Sequence, residues 1–368
     1  GGGSTATVQA VSAVNASAGT TLGNATANAD GGDSIAVGTG TILVGADGSL
    51  AATAQLTQQA SATTVNGTSA SAVSDFSNVT GIGATTITVG GNGTLTGFGV
   101  STLGATAFGT NASASATADS GQVEGADTAL IDVGGNLAGA AAGSANFIGQ
   151  ASTTAAATTT FGAAAATANA SNVFGITAST VNIDGNVTSG TGTGTLIGFG
   201  SGTLSAKAES TTGNAGANGD QVVFGVNDTV VDIGGSGNVT GQAIGLGAVT
   251  AATVVGNANA DFTTFTATGI DTDADAITIG GSGNVTALAD LRATSATTGT
   301  AGVIGQTVNG DADAILTDGA ATGLKAGTGD VSISNTGSIS GRAVIGSASL
   351  MAVTDSYDVI ASVLGSDG

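Results

Sequence analysis

An apolar–polar–apolar triplet recurs along the chain at nearly even spacing. Its second apolar position falls at Val44, Val89, Val133, Ile183, Ile233, Ile279 and Ile333, at intervals of 45, 44, 50, 50, 46 and 54 residues. Its first lies two residues earlier, at Ile42, Ile87, Ile131, Val181, Val231, Ile277 and Val331. The residue between them is polar in six of the seven triplets, Leu43 being the exception. Alternation with a period of two marks a strand with one buried face. Each triplet is followed by a Gly/Asn/Ser cluster, such as GGNG (90–93) or GGSGN (234–238). One aliphatic comes next: Leu50, Leu95, Leu137, Val187, Val239, Val285 or Ile339. Gly and Asn tolerate positive φ, so these clusters turn the chain at little steric cost. Upstream, a glycine sits eight residues before the anchor in four consecutive repeats, at Gly81, Gly125, Gly175 and Gly225.

Between these corners the chain interleaves Ala with Thr, Ser and Asn, as in TAAATTTFGAAAATANAS (154–171). Alanine alone favours helix. Here Thr and Gly interrupt every turn and no 3.6-residue stripe forms, so these stretches read as strands with Ala inward and Thr/Ser outward.

Seven corners at a nearly fixed contour length describe a stack of like units. The expected fold is all-β, a parallel β-solenoid (β-helix) of about seven degenerate repeats of 44–54 residues. The fourteen triplet aliphatics would form its core ladder, with equivalent residues about 4.8 Å apart. One turn or two per repeat fits the spacing; the dissimilar halves of each repeat favour a single wide, flattened turn. An alanine-lined interior would draw the facing sheets close together. A β-propeller is the competing repeat fold, but its Trp, His and aromatic signatures are missing. Residues 1–34 read as an N-terminal segment and cap, 35–345 as the repeats, and 346–368 as a capping or donated strand. Within that last segment, Tyr357, Val359, Ile360, Val363 and Leu364 are the candidate assembly residues.

Composition narrows the function. Pro, Cys, His and Trp are absent, 65 residues are Gly, and only 8% are charged. The hydrophobic share of 41% with no proline sets the chain apart from disordered sequences. Four basic residues against a net charge of −21 exclude a phosphate backbone as partner. With no His and no Cys, the usual base and nucleophile are missing, and no enzyme activity is expected. No run of 18 apolar residues is present, so no membrane span is expected. The first residues, GGGST, lack Met, which reads as a processed chain whose export signal has been removed.

One cofactor is suggested. GIDTDADA (269–276) places Asp271, Asp273 and Asp275 at alternate positions, and NGDADAILTDG (309–319) does the same with Asp311 and Asp313. Carboxylates at positions 1, 3 and 5 begin a Ca²⁺ loop, but position 12, which needs a bidentate Glu, is Ser282. These five residues are therefore candidates for a weak Ca²⁺ site only.

The near-duplicate corners TVVDIGGSGNVTG (229–241) and DAITIGGSGNVTA (275–287) lie in an acidic, Cys-free, Gly/Ala/Thr-rich chain. In this it resembles bacterial exported surface β-solenoid proteins: matrix-fibre subunits, large adhesins and autotransporter-type passengers, notably of cyanobacteria and other aquatic bacteria. The resemblance implies a non-enzymatic, extracellular role at the cell surface. It points to self-association into a homopolymer or to the stalk of an adhesin, with a cell-surface or matrix polysaccharide as a further partner. It carries over no catalytic residue.

Overall fold

The computed structural model describes residues 3–367 apart from 39, 46, 135–142, 184–192, 228–229, 273–276, 281, 294–302, 327–330, 334–335, 346–349, 356–357 and 364–365. The described residues form strands joined by turns, without a helix, and all strand pairs are parallel. Two sheets face one another. The first is built, in spatial order, on Thr5–Thr20, Ser49–Thr64, Thr94–Gly109, Ser144–Phe161, Thr195–Thr212, Asn238–Val255, Asn284–Ala293 and Ser338–Ile345. The second is built on Ala25–Gly31, Ser69–Val89, Ser113–Val133, Ala164–Ile183, Ala215–Asn227, Ala258–Asp271, Ala312–Lys325 and Val359–Val363. Spatial order follows chain order in both, and the chain alternates between them. Each repeat is therefore one wide coil, a strand of each sheet and two corners. The fold is a flattened parallel β-solenoid and not a closed ring of blades. Eight rungs rise about 34 Å at ~4.8 Å per step.

The stack extends past both expected limits of the repeats. Thr5–Thr20 pairs with Ser49–Thr64 through all sixteen positions without a slip, so residues assigned to a cap form the first half of a coil. Val359–Val363 likewise pairs with Ala312–Leu316, continuing the second sheet. Seven anchors thus belong to seven complete coils, and an eighth coil closes the chain.

The uneven period comes partly from the corners and, in the longest interval, from the chain between Ala293 and Val303, which spans ten residues where the preceding coil needs two, Gly247 to Val249. Anchor-to-strand spacing is short where Val89 leads to Thr94, and longer where Val133 leads to Ser144 and Ile183 to Thr195. Pairing fills the second aliphatic column with Leu50, Leu95, Ala145, Leu196, Val239, Val285 and Ile339. Leu137 and Val187, which the sequence pattern suggested for that column, lie outside the described residues, and Ala145 and Leu196 hold their places.

The interior divides into two. One lobe holds the triplet aliphatics, from Val44 to Ile279, all buried, with Ile42 packed against them. The last rung differs: Val331 and Ile333 are 48% and 47% exposed. They pair with Ile277 and Ile279 on one side, and among the described residues no further rung covers the other. The second lobe is mostly alanine, with Leu56, Phe76, Leu103, Leu204 and Phe262 among its larger members. Larger side chains there face glycines across the core. A Cβ on Gly247 would lie 2.4 Å from the Phe262 ring, and one on Gly202 would lie 2.4 Å from Gln221 Nε2. Interior volume is matched pair by pair, as close packing requires.

Between the lobes the sheets touch backbone to backbone. A Cβ on Gly81, Gly125, Gly175 or Gly225 would fall 2.6, 2.3, 2.2 or 2.3 Å from the amide nitrogen of Phe98, Ile148, Phe199 or Gln242 in the facing sheet. Gly269 and Gly323 continue this column, 2.5 Å from the amide nitrogens of Leu288 and Arg342. Only glycine fits so close an approach. The recurrent glycine of the sequence is thus a waist running up the stack.

Candidate functional site

The corners hold the coils in register. Thr64, Ser210, Thr253, Thr307 and Thr354 each donate a hydroxyl hydrogen bond, at 2.7–2.8 Å, to a corner glycine carbonyl of the preceding coil, at Gly23, Gly162, Gly213, Gly256 and Gly310. All five glycines have positive φ, between 107° and 156°. The Asn24 carbonyl oxygen accepts from the Thr68 amide, and that of Asn257 from the Asp311 amide at 3.1 Å. At the opposite corner Asn284 donates to Asn238 at 2.9 Å, and Ser236 and Ser282 pair at 2.9 Å. These stacked amides and hydroxyls are cross-strand pairs of the kind that fix register. The first corner carries its own signature, T-x-x-G-N-A, in Thr20–Ala25 and Thr253–Ala258, with Ser210–Ala215 and Thr307–Ala312 as close variants. The triplet pattern overlooked it; aligning the chain on its glycines instead of its aliphatics finds it.

Of the acidic candidates, the described Asp271 does not converge with Asp311 and Asp313. Asp271 is buried at the end of its strand and forms an ion pair with Lys325 at 2.8 Å. Asp273 and Asp275 lie outside the described residues. Asp311 occupies the corner position of Asn214 and Asn257, receiving a hydrogen bond from Asn257 Nδ2 at 3.4 Å. Asp313 is paired with Asn259, in the same strand pair as Asp271 and Lys325 but twelve positions away. Twelve residues of strand separate Asp271 from Asp313 by roughly 40 Å. Burial, reinforced by Asp311, raises the Asp313 carboxyl above its ordinary value. Among the described residues no group of three potential ligands forms a metal site.

The most perturbed carboxyl is one that the sequence reading did not single out. Glu124 is 2% exposed, on the outer side of the second sheet beside the waist. Gln122 Nε2 donates to it at 2.7 Å, Thr177 Oγ1 from the following coil at 3.0 Å, and Thr80 Oγ1 from the preceding coil at 3.4 Å. Burial pushes its pKa up to about 7, and the charge of Asp127 adds to this. The same column continues with Phe174 and Phe224, whose rings stack 5.2 Å apart at 9°. Its rarity was the available signal, since Glu124 and Glu209 are the only glutamates in the chain.

The two ends of the stack are open. Among the described residues, Thr5–Thr20 pairs on one side only, with Val11 69% exposed, and Ser338–Ile345 is the outermost strand at the other end. Among the candidate assembly residues, Val359, Ile360 and Val363 lie on the terminal strand of the second sheet, and Ile360 is half exposed. Tyr357 and Leu364 lie outside the described residues. No helix among the described residues is long and apolar enough to cross a membrane. Comparison with protein-family models, curated proteins and solved structures finds no match.

Proposed function

We propose that this chain is a non-enzymatic structural subunit that assembles head to tail into an extracellular fibre or surface layer. The observation that carries this reading is the pair of open edges at opposite ends of one continuous ladder. Unprotected edges of parallel strands are templates for another chain. The ladder sets the pairing. Column by column, Thr5 corresponds to Ser49, Thr94, Ser144, Thr195, Asn238, Asn284 and Ser338. A second copy added at the last rung would therefore set its Thr5 beside Ser338 and its Ala25 beside Val359. Each junction is heterologous, so the assembly grows without closing.

The same edges would accept further coils of a longer polypeptide, which is the adhesin-stalk reading. Negative-stain electron microscopy separates the two. Unbranched fibres of uniform width support the subunit. Short isolated rods at every concentration overturn it and leave the stalk. The separation of Asp271 from Asp313, and its pairing with Lys325, predict that such fibres survive a calcium chelator.

A further inference from the structure

The two broad faces of the plate differ in charge. Strands of the second sheet carry 13 acidic residues, among them Asp30, Asp75, Asp119, Asp127 and Asp220, against Lys325 alone. Strands of the first sheet carry two, Glu209 and Asp290, against Lys207, Arg292 and Arg342. The strand residues thus sum to −12 on one face and +1 on the other, within a chain of net charge −21.

Both faces carry partly exposed apolar residues, Val222, Phe224 and Ile315 among them on the acidic one; on the near-neutral face they gather over the waist. Inward positions of the first sheet alternate with outward ones, and the outward position over each waist glycine is Phe98, Ile148, Phe199, Gln242, Leu288 or Arg342. Val100 and Ile244 flank this column on the same side. All six of the apolar residues named here are partly exposed, on a surface that is otherwise mostly polar and carries five charged side chains. The run Phe98–Ile148–Phe199 is an unbroken apolar strip on a sheet of near-zero net charge, which marks an interaction surface. Charge selects its partner. Apposing two acidic faces repels, and covering the acidic face with a neutral one strips water from carboxylates without supplying cations. Apposing two near-neutral faces brings little net repulsion, and four of the five charged side chains on each are already ion-paired, Lys207 with Glu209 and Arg292 with Asp290.

From this we infer that two copies pair back to back through the outer faces of their first sheets, across the Phe98–Phe199 strip, leaving the acidic faces in water. The contact is isologous and independent of the end-to-end junctions. An assembly that uses both would be two plates thick.

Sedimentation velocity of the full chain at tens of micromolar tests this, with F98K/F199K as the disrupting variant and Ala165→Lys, exposed on the second sheet, as the control. Wild type and Ala165→Lys should sediment as dimers or as even-numbered multiples, and F98K/F199K as half that mass. Because the chain has no cysteine, single substitutions report contact even if the double variant fails to fold. Ser201→Cys on the first sheet should cross-link between copies under a short bis-maleimide, and Ala165→Cys should not. Monomeric wild type, or cross-linking through Ala165→Cys but not through Ser201→Cys, would overturn the pairing. Single-thickness fibres lacking the Ser201→Cys cross-link would overturn it too, while leaving head-to-tail growth intact.

Discussion

Glu124 shows how a single residue can sit against the grain of its surroundings. Its carboxyl is buried between three coils, and its three hydrogen bonds do not offset the loss of water, so its pKa lies near 7 in the fold against 4.5 for an ordinary Glu. Between those values the folded chain binds more protons than the unfolded one. Stability from this group is therefore complete below about pH 4.5 and is lost as pH rises through 7. A shift of this size corresponds to about 3 kcal/mol. Glu124→Gln should be more stable than wild type at pH 8 by up to that amount. It should also flatten the pH dependence of denaturant midpoints between pH 5 and 8; parallel profiles for the two proteins would refute the assignment. The sequence pattern directed attention to the alternating Asp clusters instead, because their spacing matches the start of a calcium loop. What it did not reveal was Lys325 beside Asp271, a partner one coil away and 54 residues off in sequence.

At the scale of the element, the waist decides how the sheets meet. Gly175 faces backbone on three sides, with an added Cβ only 2.2 Å from Phe199 N, 2.5 Å from Gly225 O and 2.6 Å from Gly198 C. No side chain there can swing aside. Gly175→Ala should cost about 3 kcal/mol or more in equilibrium unfolding, the upper end of overpacking. Gly216, in the neighbouring coil, has nothing within 4 Å of its added Cβ, so Gly216→Ala should be neutral or stabilise slightly. Equal effects at both sites would contradict the backbone contact. The four evenly placed glycines were visible in the sequence because their coils keep one distance from waist to anchor. Gly269 and Gly323 were hidden because they lie ten residues before Ile279 and Ile333. The triplets themselves were readable because each strand there has one apolar face. Coil number was not, because the last coil, with Ser338–Ile345 and Val359–Val363, carries no triplet and becomes recognisable only through pairing.

At the scale of the whole molecule, a plate of eight rungs has an acidic face, a neutral face and two open edges. Flatness follows from the alanine lobe and the waist, which leave no room to round the coil. The proposed growth would follow from the edges, since among the described residues both terminal rungs of each sheet present unpaired backbone in the register of the interior. The proposed fibre thus has a defined axial length per subunit, eight rungs at ~4.8 Å or about 38 Å. Cryo-electron microscopy of the assembled material measures this directly. An axial subunit repeat near 38 Å on an unbroken 4.8 Å rung spacing is the predicted result. A repeat that does not accommodate eight rungs, or a rung spacing interrupted between subunits, would contradict head-to-tail continuation of the coil.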